Sequence, residues 1–143
     1  MSSDYLTKTT DMKGFKSNIE KDSLKNTNFR KVLYTSKHLQ VVLMSLKPGE
    51  EIGAEVHKTV DQFFRFEGGK GKCIIDGNEY VVENGDAIVV PAGSKHNVIN
   101  TDTAEGLKMY TIYAPPNHKD GIINPTKKDA EINDVEFDGK TTE

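Results

Sequence analysis

GDAIVVPAGSKHNVIN, residues Gly85–Asn100, joins a glycine turn, an apolar strand over Ala87–Val90, a tight turn at Pro91–Gly93, and a histidine, His96, leading into a second strand over Asn97–Asn100. Pro91 has no N–H to give to a ladder, so the first strand ends before it. Gly93 then lets the chain reverse. A histidine beside such a turn either enters the space that the strands enclose or merely ends a strand. Its meaning depends on whether another stretch brings partners to meet it.

Working outward, the same texture repeats. Upstream lie Gln62–Phe66, the glycine-rich GGKGK, and the runs Lys72–Ile75 and Glu79–Val82, which flank a hairpin turn at Asp76–Gly77–Asn78. Downstream, the polar TDTAEG separates the central strands from Leu107–Tyr113. Nearer the N-terminus, Lys31–Thr35 and His38–Leu46 read as strands split by Ser36 and Lys37, and KPGEEIG breaks the second. Turns recurring every eight to twelve residues or so predict an all-β sandwich or barrel. The pattern divides the chain into an N-terminal arm over 1–27, loose or supplying an edge or swapped strand, a barrel over 28–116, and a tail over 117–143. In the tail, Thr126 caps a short helix to Ile132, with Asp129 three residues on. The last few residues read as unstructured.

Composition narrows the class. The 143 residues suit one domain. A formal net charge of -3, with charges of both signs making up 29% of the chain, gives no basic footprint for nucleic acid. No stretch approaches the roughly 18 apolar residues of a membrane span. The polar opening MSSDYLTKTTD does not read as a signal peptide. With a single cysteine, Cys73, the expectation is a cytoplasmic protein without disulfides. GGKGK lacks the spacing of a phosphate loop, and Asp76–Gly77–Asn78 is too short for a calcium loop.

Glu55 and His57 are two apart, so on an extended segment they share a side. Gln62 opens a strand on which Phe64 and Phe66 share its face and form an apolar wall. With His96 entering from a neighbouring strand, these side chains supply oxygen and imidazole donors suited to Fe, Mn, Ni or Zn. An inward Glu55 without a cation would be costly to bury as a carboxylate. Tyr110 and Tyr113 face opposite sides, each read as core. Arg65 points outward, towards a salt bridge or subunit contact. His38 reads as a surface residue, and His118 either folds across the barrel opening with Asp120 or stays outside.

The chain resembles the cupin superfamily, in its small single-domain form. The second cupin motif is glycine, five residues, proline, one residue, glycine, two residues, histidine, three residues, asparagine; Gly85, Pro91, Gly93, His96 and Asn100 meet every position. In the first motif Gly49, His57 and Gly69 match, while Glu55 stands where a histidine is usual and Gln62 where the metal-binding glutamate is usual. The resemblance implies a double-stranded β-helix, or jelly roll, with a divalent metal held by His57, His96 and Glu55, and with Gln62 either completing a fourth position through its carbonyl oxygen or hydrogen-bonding a bound water. It also implies a homodimer, and the valine and leucine face of VLYTSKHLQVVLMSL is either its contact surface or one side of the core. The function expected is a metal-dependent enzyme acting on a small oxygenated or sugar-like metabolite. Glu55 serves there as ligand or as catalytic base. The alternative is a non-catalytic barrel that binds a small ligand as sensor, carrier or accessory protein.

Overall fold

The computed structural model describes residues 11–143. Residues 1–10, the first part of the expected arm, lie outside the described residues. Strands β1 (Arg30–Thr35) and β2 (Gln40–Leu46) form a hairpin whose turn is closed by the Ser36 N–H on the Leu39 carbonyl at 2.9 Å. Then come β3 (Glu55–Val56), β4 (Asp61–Gly68), β5 (Lys70–Ile75), β6 (Asn78–Glu83), β7 (Ala87–Val90), β8 (Lys95–Asn100), β9 (Leu107–Ala114) and β10 (Ile123–Asn124). Two short helices, α1 (Ile19–Lys25) and α2 (Lys127–Ile132), flank the strands. The strands build a six-stranded sheet, β10-β1-β2-β9-β4-β7, and a four-stranded sheet, β3-β8-β5-β6. Neighbours pair antiparallel, and one apolar cluster joins the two sheets. This is the jelly roll that the strand spacing and the resemblance predicted.

Alternation sets what faces inward. On β9, Leu107, Met109, Thr111 and Tyr113 are buried, and on β4 Gln62, Phe64 and Phe66 are buried. Register turns these into rows across the six-stranded sheet. One row is Met44–Met109–Phe66, the next Val42–Thr111–Phe64, and the last Gln40–Tyr113–Gln62. The interior is therefore dry at one end and polar at the other. On the facing sheet the row Glu55–His96–Ile75 gives way to Val98–Cys73. Polar side chains collected at one end of a closed barrel mark a mouth.

The glycines of GGKGK serve barrel closure. A Cβ on Gly71 would stand 2.6 Å from the Ile99 carbonyl oxygen and 2.7 Å from Leu107 Cδ2, so only hydrogen fits. Arg65 does turn outward, pairing with Glu67 at 3.3 Å, and His38 is exposed.

Three features differ from the sequence reading. Over its described part, the arm expected to be loose or to supply a strand contains α1 and no strand. The Asn18 side chain accepts from the Lys21 N–H at 3.1 Å, and Glu20 and Asp22 stand in the first turn, where the helix dipole favours them. The helix packs on β2, β4 and β9, with Leu24 against the bare backbone of Gly68. Lys108 Nζ fastens its end, donating to the Asn26 carbonyl at 2.6 Å and Ser45 Oγ at 2.9 Å. Second, the edge of β1 is covered by β10, from the tail, so the sheet continues past residue 116. Third, the final residues are docked. The Thr142 N–H donates to the Thr35 carbonyl at 2.9 Å, and the Glu143 carboxylate accepts from the Lys13 and Gly14 N–H groups. The expected tail helix is present as α2, closed by a capping box between Thr126 and Asp129. No helix among the described residues is long and apolar enough to cross a membrane.

Candidate metal centre

Three local devices bring the donors together. First, β3 pairs with β8 so that Glu55 lies directly opposite His96. Second, the Gly93 N–H donates to the His57 carbonyl at 2.8 Å, tying the residue just beyond β3 to the turn just before His96. Gly93 does this at φ +89°, a conformation that residues with a side chain rarely adopt. Third, with Val56 exposed between them, Glu55 and His57 turn inward together, as their spacing predicted.

The resulting geometry is tight. Ligand atoms of Glu55, His57 and His96 all lie within 4.8 Å of one another. His57 Nε2 is 3.1 Å from Glu55 Oε2, and His96 Nε2 is 4.0 Å from the same oxygen. The two imidazole rings are 5.2 Å apart at an angle of 47°. His96 is buried, with Nδ1 3.1 Å from the Ser94 carbonyl oxygen. A carbonyl only accepts, so Nδ1 carries the proton and Nε2 keeps its lone pair. That Nε2 is buried and has no hydrogen-bond partner among the described residues.

Electrostatics keeps Glu55 and His96 in their metal-binding forms. Burial works against the Glu55 carboxylate. The hydrogen bond from His57 and the charges of His57 and Arg30 outweigh it, and the carboxyl titrates below its ordinary value. Burial pushes His96 below the usual imidazole range, against the Ser94 carbonyl, so its ring is held neutral. Anionic carboxylate and neutral imidazole are the forms that ligate.

Gln62 stands on the other sheet, opposite Tyr113 in register. Its Nε2 donates to Thr111 Oγ1 at 3.0 Å, while its buried Oε1 has no partner among the described residues. An orphaned imidazole nitrogen, with a carboxylate and a second imidazole within 4.8 Å, is a donor set that fits a divalent cation.

Three further side chains complete the chamber. Tyr113, read from sequence as core, is buried with its ring edge-on to His57 at 5.9 Å. Counting inward parity from Gln62 across the β4–β9 register would have placed it here. His118 does fold over the barrel end, but its partners differ from the expected Asp120. Its Nε2 is 3.2 Å from the Tyr113 hydroxyl, and the Asn117 and His118 N–H groups both donate to the buried Gln40 Oε1. Asp120 accepts instead from Thr35 and Thr142. Burial drives the His118 pKa down to about 3 and raises that of Tyr113, so both stay neutral. Arg30 was missed because the first strand was read as starting at Lys31. It begins β1 on the inward side, with Val32, and is 7% exposed.

A cavity of about 320 Å³ opens at this end, lined by Arg30, Glu55, His57 and His118, with exposed Asp134 and Glu136 at its rim. The tail closes over it through an isolated bridge between His118 and Glu136. Cys73 is fully buried in the dry part, and burial pushes its thiol up to about 11, which excludes a ready nucleophile.

Comparison with known proteins agrees with this fold. Residues 42–113 match the family described as Cupin domain. The chain is 49% identical over 125 residues to an uncharacterized Bacillus subtilis protein, YrkC, covering 82% of this chain and 66% of that one. It is 43% identical over 110 residues to the uncharacterized protein L612 of Acanthamoeba polyphaga mimivirus, covering 75% of this chain and 69% of that one. The chain thus spans about two thirds of the length of these relatives. Among solved structures, BH2720 from Bacillus halodurans superposes with a TM-score of 0.81 at 41% identity, over 85% of this chain and 96% of that one.

Proposed function

Starting from a chain that belongs to the cupin family, we propose a metal-dependent enzyme that acts on a small oxygenated metabolite in the chamber beneath the tail. Glu55, His57 and His96 hold the metal, and Gln62 offers a fourth, neutral oxygen. The observation that carries this is the buried, unpartnered Nε2 of His96 within 4.0 Å of an anionic Glu55. When bound, Fe, Mn, Ni or Zn would supply Lewis-acid or redox chemistry to a coordinated substrate oxygen.

The surrounding residues have separate tasks. Tyr113 and His118, 3.2 Å apart and both neutral, hold a proton at the chamber wall and present a hydroxyl to the ligand. The segment around Glu136 limits water entry. In the Lewis-acid variant Glu55, bonded to His57 at 3.1 Å, is the base.

Titration calorimetry of chelator-stripped protein with zinc tests the reading. We expect one site per chain, weakened at least about ten-fold in Glu55→Gln and in His57→Ala. Binding unaffected by both changes would exclude the site. A second reading has its own support, since the Glu55–His57 hydrogen bond satisfies both groups without an ion. It makes the barrel a direct binder of an organic ligand, and predicts no stoichiometric zinc and unchanged ligand binding after chelation.

The outer face of the six-stranded sheet carries the row Val41–Ile112–Phe63–Val89, with Val89 62% exposed. We propose that a second copy covers it, giving a homodimer. Light scattering should report twice the chain mass, falling to the single-chain mass in Phe63→Asp; a monomeric wild type would contradict this.

A further inference from the structure

We infer that the chamber takes a small monocarboxylic acid, with the ligand carboxylate seated on Arg30. The inference deepens the function proposed above and rests on the cavity being a ligand site, but it does not require the metal. Arg30 is 7% exposed, and its guanidinium forms no ion pair among the described residues. Its Nε is buried without a hydrogen-bond partner there. The planar group lies against the Phe29 ring, 5.5 Å from its centroid, and near the Tyr113 hydroxyl. A buried guanidinium with an unmet donor is costly unless an anion completes it. A carboxylate matches its fork with parallel hydrogen bonds.

Glu55, which lines the same cavity, is already shared. Its charge serves His57, Arg30 and His96 together, and its oxygen lies against His57. Where Glu55 is engaged as a ligand, Arg30 is left without compensation. Gln62, on the same sheet as Arg30, is neutral and adds no charge.

The rim limits how much negative charge can enter. Asp134 and Glu136 are exposed at the opening of the same cavity. They oppose a polyanion such as a phosphate ester or a dicarboxylate. Being solvated, they act more weakly than the buried Arg30 does on a single carboxylate. A ligand anionic at one end and neutral or cationic at the other fits both.

Titration calorimetry of wild type with lactate and pyruvate, and with the uncharged lactamide and pyruvamide, tests the assignment before and after chelator treatment. The acids should bind about ten-fold or more tightly than their amides. Arg30→Gln should erase that difference. Inorganic phosphate should bind more weakly than either acid. Equal affinity for acid and amide in wild type would overturn the proposal, as would preference for phosphate or an absence of acid binding in both states. The wild-type comparison stands even where Arg30→Gln fails to fold. Arg30-dependent acid binding in a protein that takes up no metal would support the carboxylate assignment while removing the metal reading. Stoichiometric metal with no preference for acids would do the reverse.

Discussion

Individual side chains at the polar end of the barrel explain both what could be read from sequence and what could not. Glu55 and His57 were legible because an extended backbone puts residues two apart on one side, and His96 because a proline–glycine turn delivers it. Arg30 was lost by a one-residue error in the strand start, which left it off β1 although it shares the inward face of Val32. The place of His118 across the opening was one of two readings, but its partner was not legible, since Gln40, far away in sequence, is what seats it through two accepted N–H bonds. Its burial has a consequence for pH. Above about pH 6.5 the ring is neutral in native and unfolded chains alike. Below that the unfolded chain gains a proton, which the native chain refuses until about pH 3, facing the Tyr113 hydroxyl and the charges of Arg30 and His57. Stability should therefore fall as pH drops, by up to about 1.4 kcal/mol per pH unit from this group. Urea midpoints from pH 7 to 4.5 should decline less steeply in His118→Gln; equal slopes would show that His118 titrates normally.

At the level of strands and helices, reading succeeded wherever neighbours in sequence are neighbours in space. Ala87–Val90 formed as a strand with the expected bounds, because a glycine turn and a proline fence it. The Thr126–Asp129 capping box was visible as two residues three apart. Helix α1 was not visible, since seven residues with only Ile19 and Leu24 as large apolar side chains make no stripe; the sheet beneath stabilises it. The same holds for β10, two residues that become a strand only because β1 offers an edge. Tertiary demand also fixes the glycines. Gly71→Ala places a methyl 2.6 Å from the Ile99 carbonyl oxygen, so the strand must shift. A loss of about 1–3 kcal/mol is expected by chemical denaturation; a change within error would mean that β5 and β8 have room to part.

For the molecule as a whole, the jelly roll follows from strand spacing, and its function follows from a gradient along the barrel. Methionine and phenylalanine rows seal one end, while glutamine, tyrosine and histidine gather at the other. The tail then roofs that end, a role the sequence could not announce, because the His118–Glu136 bridge joins segments with no shared pattern. The account stands or falls on whether the roofed donors hold an ion. The direct measurement is elemental analysis by inductively coupled plasma mass spectrometry of wild type and His96→Ala, each purified without added metal and again after exposure to iron, manganese, nickel and zinc. The account predicts about one transition metal per wild-type chain and loss of most of it in His96→Ala, with both proteins folded. No metal in wild type after exposure to all four, or equal metal in the two proteins, would contradict it.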